Sequence, residues 1–348
     1  MVQNITDEAN KALEAFKSKG PFNLKPIFTG WINQTFRVDS TQGSYILQRL
    51  HPVFQPIVNE DIEAVTLELQ KKHILTPLLI QTDDKQLWTL VNQGGCWRMQ
   101  NCIEGHTFDK IANPQIAFEV GQLVGKFHQA LQDFSYQYRF TRANVHNTRH
   151  FFLALEKWAE EGKHHERYDD FMKLAEKILK LKPKLPDFSN LPKRHSHGDL
   201  KINNILFNDH AKAKCLLDLD TLGRMPWPLE MGDAFRSWCN LEAEDAANSV
   251  FSEDIFSQAL QAYADVVKDF WTKEEIEMLF EGIWVLPVEL SVRFLIDVLQ
   301  DEYWGWDSSR YASRSDHNLS RALGQWSLYQ DIEKKSSKLQ SCIYKAFQ

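Results

Sequence analysis

Apolar positions recur at helical spacing over 4–18, where Ile5, Ala9, Ala12, Leu13 and Phe16 share one face. The period then shortens to two. Lys25 to Phe28, Thr35 to Asp39 and Ser44 to Leu50 predict strands, the last two joined by a Gln-Gly turn. Helical spacing returns from Asn59 to Lys72. Gln86 to Val91 and Cys96 to Ile103 predict a second hairpin across Asn92-Gln-Gly-Gly. The first hundred or so residues therefore predict a mostly antiparallel sheet with one inserted helix. From Pro114 onward the pattern is helical, strongly over 116–131 and then over 151–161, 166–181, 231–246, 252–269, 273–299 and 317–339. The only strand-like pieces there lie at 203–219. The predicted class is α+β: a small antiparallel sheet lobe, 1–103, and a larger, mainly helical lobe, 104–348, connected near 99–105.

A chain of 348 residues can bury two such cores. The net charge of −7 argues against a nucleic-acid partner held by bulk electrostatics. No apolar stretch is long enough to span a bilayer, and the N-terminus lacks a basic and apolar signal pattern. The five cysteines are odd in number, scattered, and form no Cys-x-x-Cys pair, so a reduced, cytoplasmic protein without a zinc site is expected. The 11 tryptophans are compatible with a sugar or stacking site. The sequence leaves the oligomeric state open.

The chemistry concentrates in His197-Gly-Asp199-Leu-Lys201-Ile-Asn-Asn204, followed by Cys215-Leu-Leu-Asp218-Leu-Asp220. Phosphoryl transfer from a nucleotide is catalysed by positioning and charge neutralisation. It needs a base to orient the attacking hydroxyl and oxygen ligands to hold a metal against the triphosphate. Asp199 precedes Asn204 by five positions, the base-to-metal-ligand interval of a kinase catalytic loop. Lys201 falls where it reaches the transferring phosphate. Asp218 ends an apolar run that reads as a buried strand, a rigid place for a metal ligand. Asp220, on the opposite pleat, is the second choice. His197 is expected to brace the loop, and Asp233 to cap its backbone amides.

These motifs resemble the aminoglycoside phosphotransferase and choline kinase superfamily, whose members have a protein-kinase-like fold and a His-Gly-Asp loop. The resemblance implies an ATP- and Mg2+-dependent kinase with Asp199 and Lys201 in catalysis and Asn204 and Asp218 on the metal. The turn Gly30-Trp-Ile-Asn33-Gln-Thr35-Phe falls where such a fold cradles phosphates, which makes Gly30, Asn33 and Thr35 nucleotide-site candidates. The following strand carries no lysine and offers Gln48 or Arg49, a choice the sequence leaves open. Glu60 or Glu63 on the next helix would be the partnering carboxylate. The inter-lobe backbone would meet adenine, with Met99 or Ile103 against the ring.

Further stretches narrow the resemblance. They are Tyr45-Ile-Leu-Gln-Arg-Leu, Trp97-Arg98, Val145-His146-Asn-Thr148, Arg293-Phe-Leu-Ile-Asp297 and His317-Asn-Leu-Ser-Arg321. Together they are similar to the N-acetylhexosamine 1-kinase group. This implies a free sugar phosphorylated at its anomeric hydroxyl, with Arg293, Tyr303, Arg98 and His146 facing it. Two alternatives stand beside it. One is a kinase for choline, homoserine or an aminoglycoside, with 301–307 (Asp-Glu-Tyr-Trp-Gly-Trp-Asp) as a cage for a cationic acceptor. The other is a nucleotide-binding pseudokinase.

Overall fold

The computed structural model describes residues 2–27, 33–91 and 95–348. Helix α1 (Val2–Leu13) runs through a 3-10 turn into β1 (Phe22–Ile27), followed by β2 (Gln34–Ser40), β3 (Gly43–Arg49), α2 (Val58–Lys71), β4 (Leu79–Ile80), β5 (Thr89–Val91) and β6 (Gly95–Asn101). The strands form one antiparallel sheet in the order β1-β2-β3-β6-β4, with β5 also on β6. Strand alternation sorts the two faces. Tyr45, Leu47, Trp97 and Met99 pack with Phe36 and Val38 under Ala9, Ala12 and Phe16 of α1. Gln48 and Arg98 stand opposite each other in the ladder and point the other way, toward the helical lobe.

After Asn101 the chain crosses by an irregular segment, pinned where His106 pairs with Phe207. The helical lobe contains α3 (Pro114–Leu131), α4 (Thr148–Glu161), α5 (Tyr168–Leu179), α6 (Trp227–Trp238), α7 (Glu253–Val267), α8 (Lys273–Gln300), α9 (Arg314–Lys334) and α10 (Ser336–Ala346). Helix α3 starts where Asn113 Oδ1 accepts from Ile116 N at 3.1 Å and Pro114 opens the first turn. Helix α8, the long axis of this lobe, packs against α6 and α9. Val58, Ile62, Val65 and Leu69 of α2 join this large core rather than the core under α1.

Between α5 and α6 lie two small antiparallel ladders. β7 (Arg194–Ser196) pairs with β10 (Gly223–Met225), and β8 (Ile205–Phe207) pairs with β9 (Ala213–Leu216). The periodicity of 203–219 anticipated only the second. Two helix boundaries also differ. The helix expected over 231–246 begins earlier and ends at Trp238, and the helix expected over 317–339 is two helices broken at Lys335. No helix among the described residues is long and apolar enough to cross a membrane.

Candidate active site

The catalytic loop hangs between the two small ladders. Gly198 adopts φ +83°, and a Cβ there would overlap the Thr221 carbonyl oxygen, so the turn needs glycine. His197 Nε2 donates to Leu217 O at 2.9 Å, and its Nδ1 accepts from Asp199 N at 3.3 Å. Burial lowers the pKa of this imidazole, so it braces the loop in the neutral form. The loop amides are capped by Glu230, in the first turn of α6, whose Oε1 accepts from His197 N (2.5 Å) and Gly198 N (3.2 Å). Asp233, expected in that role, instead pairs with Arg236 at 2.8 Å. Sequence reasoning missed Glu230, which lies just outside the helix expected over 231–246; the helix in fact starts at Trp227.

The carboxylate, amine and amide converge as the spacing predicts. Lys201 Nζ donates to Asp199 Oδ2 at 2.7 Å. Asn204 Nδ2 donates to Asp199 O at 2.9 Å and to Oδ2 at 3.1 Å. Burial would raise the Asp199 pKa, but Lys201, by charge and hydrogen bond, holds it below the usual range. Burial likewise opposes the charge on Lys201, and Asp199 and Asp218 together raise its pKa. Asp218 follows β9 in a left-handed conformation, φ +60°. Burial first, then the neighbouring Asp220, push its pKa up to about 6. Among the described residues no hydrogen-bond donor or ion-pair partner meets its carboxylate.

On the sheet side, Gly30 lies outside the described residues. Asn33 Nδ2 donates to Asp220 Oδ2 at 2.6 Å, and its oxygen accepts from His51 N at 3.0 Å. Thr35 accepts from Gln48 at 3.3 Å. Of the two residues left open, Gln48 faces the helical lobe, whereas Arg49 turns to the α1 face and pairs with Glu8 at 3.2 Å. Glu60 contacts neither; it pairs with Arg139 at the surface. Asp61 is also spoken for, accepting from Tyr136, Arg139 N and Phe140 N. Met99 is buried in the core under α1. Arg98, expected beside the acceptor, is buried in the inter-lobe seam, donating to Asp220, Gln48 and Asn59.

On the far side, Arg293 of α8 lies between the rings of Phe151 (5.1 Å) and Trp304 (5.2 Å). Its guanidinium is 3.9 Å from Glu289, one turn earlier. His146 Nδ1 lies 3.6 Å from Glu289 Oε1, too long for a hydrogen bond but near enough to raise the imidazole pKa against the opposing effect of burial. Both ring nitrogens of His146 and Oε1 of Glu289 are buried without a hydrogen-bond partner among the described residues. Thr148 donates to the other glutamate oxygen at 2.6 Å. Tyr303 is half exposed and hydrogen-bonded by Arg142. Its loop is shaped by Asp297, which accepts from Glu302 N (3.1 Å), Tyr303 N (3.0 Å) and Trp304 N (3.0 Å). Asp233 of α6 lies within electrostatic reach of both Lys201 and His146, and its partner Arg236 acts on Asp199. Glu289 was missed, although a lone carboxylate in Val285-Leu-Pro-Val-Glu-Leu-Ser-Val is a legible signal.

The fold is similar to those of solved kinases. An aminopropanol kinase associated with a microcompartment superposes with a TM-score of 0.65 at 13% identity, covering 96% of this chain and 98% of its own. An amicoumacin kinase in complex with AMP-PNP, Ca2+ and Ami gives 0.61 at 12% identity, covering 97% of each chain. Choline kinase from Cryptosporidium parvum gives 0.59 at 13% identity, covering 100% of each. The two-lobed α+β architecture is thus protein-kinase-like. A sequence model described as the phosphotransferase enzyme family, which contains the aminoglycoside phosphotransferases, matches residues 23–264, and the chain belongs to that family.

Proposed function

We propose that the protein is an ATP- and Mg2+-dependent small-molecule kinase that phosphorylates a free sugar, an N-acetylhexosamine, at its anomeric hydroxyl. The observation that carries the kinase part is the convergence of Asp199, Lys201 and Asn204 beside the unpaired carboxylate of Asp218. Asp199, ionised beside Lys201, accepts the proton of the attacking hydroxyl and orients it. Lys201 lies beside the transferring phosphate. The site fits a magnesium ion: Asn204 and Asp218 offer oxygen ligands, and no cluster of three or more His, Cys, Asp or Glu among the described residues forms a complete cage. Magnesium keeps several waters and takes phosphate oxygens, so two protein ligands suffice. The ion, when bound, neutralises charge on the triphosphate. Asn33, Thr35 and Gln48 line the nucleotide side. The reading places the protein in the cytoplasm, in keeping with its five free cysteines.

The acceptor wall supports a neutral polyol over a cation. A cationic acceptor would need open aromatic faces. Here Arg293 already covers Trp304, and Arg142 stands 5.9 Å over the Tyr303 ring. Arg293 and Tyr303 present donors and an acceptor suited to hydroxyls and an amide carbonyl, with His146 and Glu289 buried behind Arg293. A panel of free sugars, choline, homoserine and aminoglycosides assayed for ADP release tests this. Turnover confined to free hexosamines supports the reading. Turnover of choline or an aminoglycoside alone overturns the acceptor, and no turnover with any compound favours a pseudokinase.

A further inference from the structure

Among the described residues, β3 offers no free cation to the face toward the helical lobe. Strand β3 carries no lysine, Arg49 is committed to Glu8 on the α1 face, and both acidic residues in the first turn of α2 are engaged on the helical lobe. The cation stands one strand over. Arg98 of β6 is 2% exposed, directly opposite Gln48 in the ladder. Its Nε donates to Gln48 Oε1 at 3.1 Å, and Nη2 donates to Gln48 at 2.9 Å and to Asp220 Oδ2 at 3.0 Å; Nη1 donates to Asp220 Oδ1 and, at 3.4 Å, to Asn59. Asp220 is 1% exposed and also receives Asn33 from the β1–β2 turn. The buried Arg98–Asp220 pair therefore gathers Asn33, the sheet and, through Arg98, Asn59 of α2. It sits two residues from Asp218, across a single 3-10 turn.

We propose that Arg98 and Asp220 are positioning residues that lock Asn33, at the entry to β2, to the metal-binding carboxylate, replacing a lysine–glutamate pair between strand and helix. All the donors of Arg98 are spent on protein groups, so it acts through Asp220 and not on the phosphates. This assignment rests on the nucleotide-and-metal part of the proposed function and is independent of the acceptor. A bidentate guanidinium fixes the angle as well as the distance between two lobes, which a point-charge ammonium does not.

The test is calorimetric binding of AMP-PNP with Mg2+ to the full chain, without acceptor. Breaking one half of a buried pair strands the other charge and can unfold the protein, whereas apolar replacement of both halves is well tolerated. The informative protein is therefore the double variant Arg98→Met with Asp220→Leu, checked for a wild-type melting transition. A latch predicts that it folds yet binds the metal-nucleotide at least tenfold more weakly, and that Arg98→Lys keeps the fold while losing affinity in part. A folded double variant with wild-type affinity overturns the proposal. If the single variants lose affinity only as far as they lose folded protein, the pair is merely structural and the proposal also fails. A wild-type protein that binds no metal-nucleotide would instead sink the functional reading on which the latch rests.

Discussion

At the residue scale the account turns on Asp199. Its carboxylate is held ionised by Lys201 at 2.7 Å, and Asn204 fixes its orientation. Asp199→Asn keeps the shape and removes the proposed proton acceptor. Turnover should fall about 10²–10⁴-fold, the usual worth of a positioned base, with AMP-PNP affinity nearly unchanged. Near-wild-type turnover would remove Asp199 from that role. A second prediction concerns His146. Its pKa is raised above the ordinary 6.5 in the fold, while that of Glu289 is lowered below 4.5 by His146 and its other partners against the opposing effect of burial. A raised imidazole pKa stabilises the fold fully below 6.5, and the gain is lost as pH rises through the folded value. Glu289 adds stability that is lost as pH falls through its own depressed value. The stability advantage of wild type over His146→Gln should therefore peak between these two titrations and shrink toward pH 9, as measured by urea unfolding. An advantage constant across that range would mean the pair is not charged. The spacing of Asp199, Lys201, Asn204 and Asp218 was legible because all four lie on one loop and the strand beside it. Glu230 was not, since what makes it matter is a neighbour far away in the chain; Glu289 stood out as a lone carboxylate in an apolar run, but its distant partner His146 was not legible.

At the scale of elements, hydrophobic period found the sheet and most helices, and failed where an element is too short or a break leaves the period intact. β4, β7 and β10 have two or three residues, too few to show alternation. Leu328, Ile332, Leu339 and Ile343 remain in helical phase across the break at Lys335, so the pattern hides it. The overextended helix at 231–246 had a cue against it: Pro228 fits only a first helical turn, which moves the start back to Trp227. Register also shows which of the two candidates faces the helical lobe, because pairing of Gln48 with Arg98 sends Arg49 to the other face. The loop after α8 carries the third prediction. Asp297 receives three consecutive loop amides and Asn318 Nδ2 at 2.8 Å. Asp297→Asn weakens charge-assisted bonds worth about 1.5–3 kcal/mol each. The acceptor KM should rise severalfold while the ATP KM holds, because the loop positions Tyr303 and Trp304 only. Equal rises in both constants would detach this loop from the acceptor.

At the scale of the molecule, two cores meet along a seam of polar side chains, and the proposed chemistry lies on that seam. The sheet with α1 forms one core, and the helices with α2 form the other. Arg98, Asp220 and Asn33 close the seam on the proposed nucleotide side; Arg293, His146, Glu289 and the 301–304 loop form the proposed acceptor wall. Family membership speaks for the phosphotransferase, and the acceptor is the central claim. It is tested most directly by comparing a free N-acetylhexosamine with its methyl glycoside, following ADP release and locating the phosphate by phosphorus NMR. The account predicts a sugar 1-phosphate from the free sugar and no turnover of the glycoside, because no nucleophile then remains in line with the γ-phosphate. Efficient phosphorylation of the methyl glycoside, or phosphate on any other hydroxyl, would contradict it.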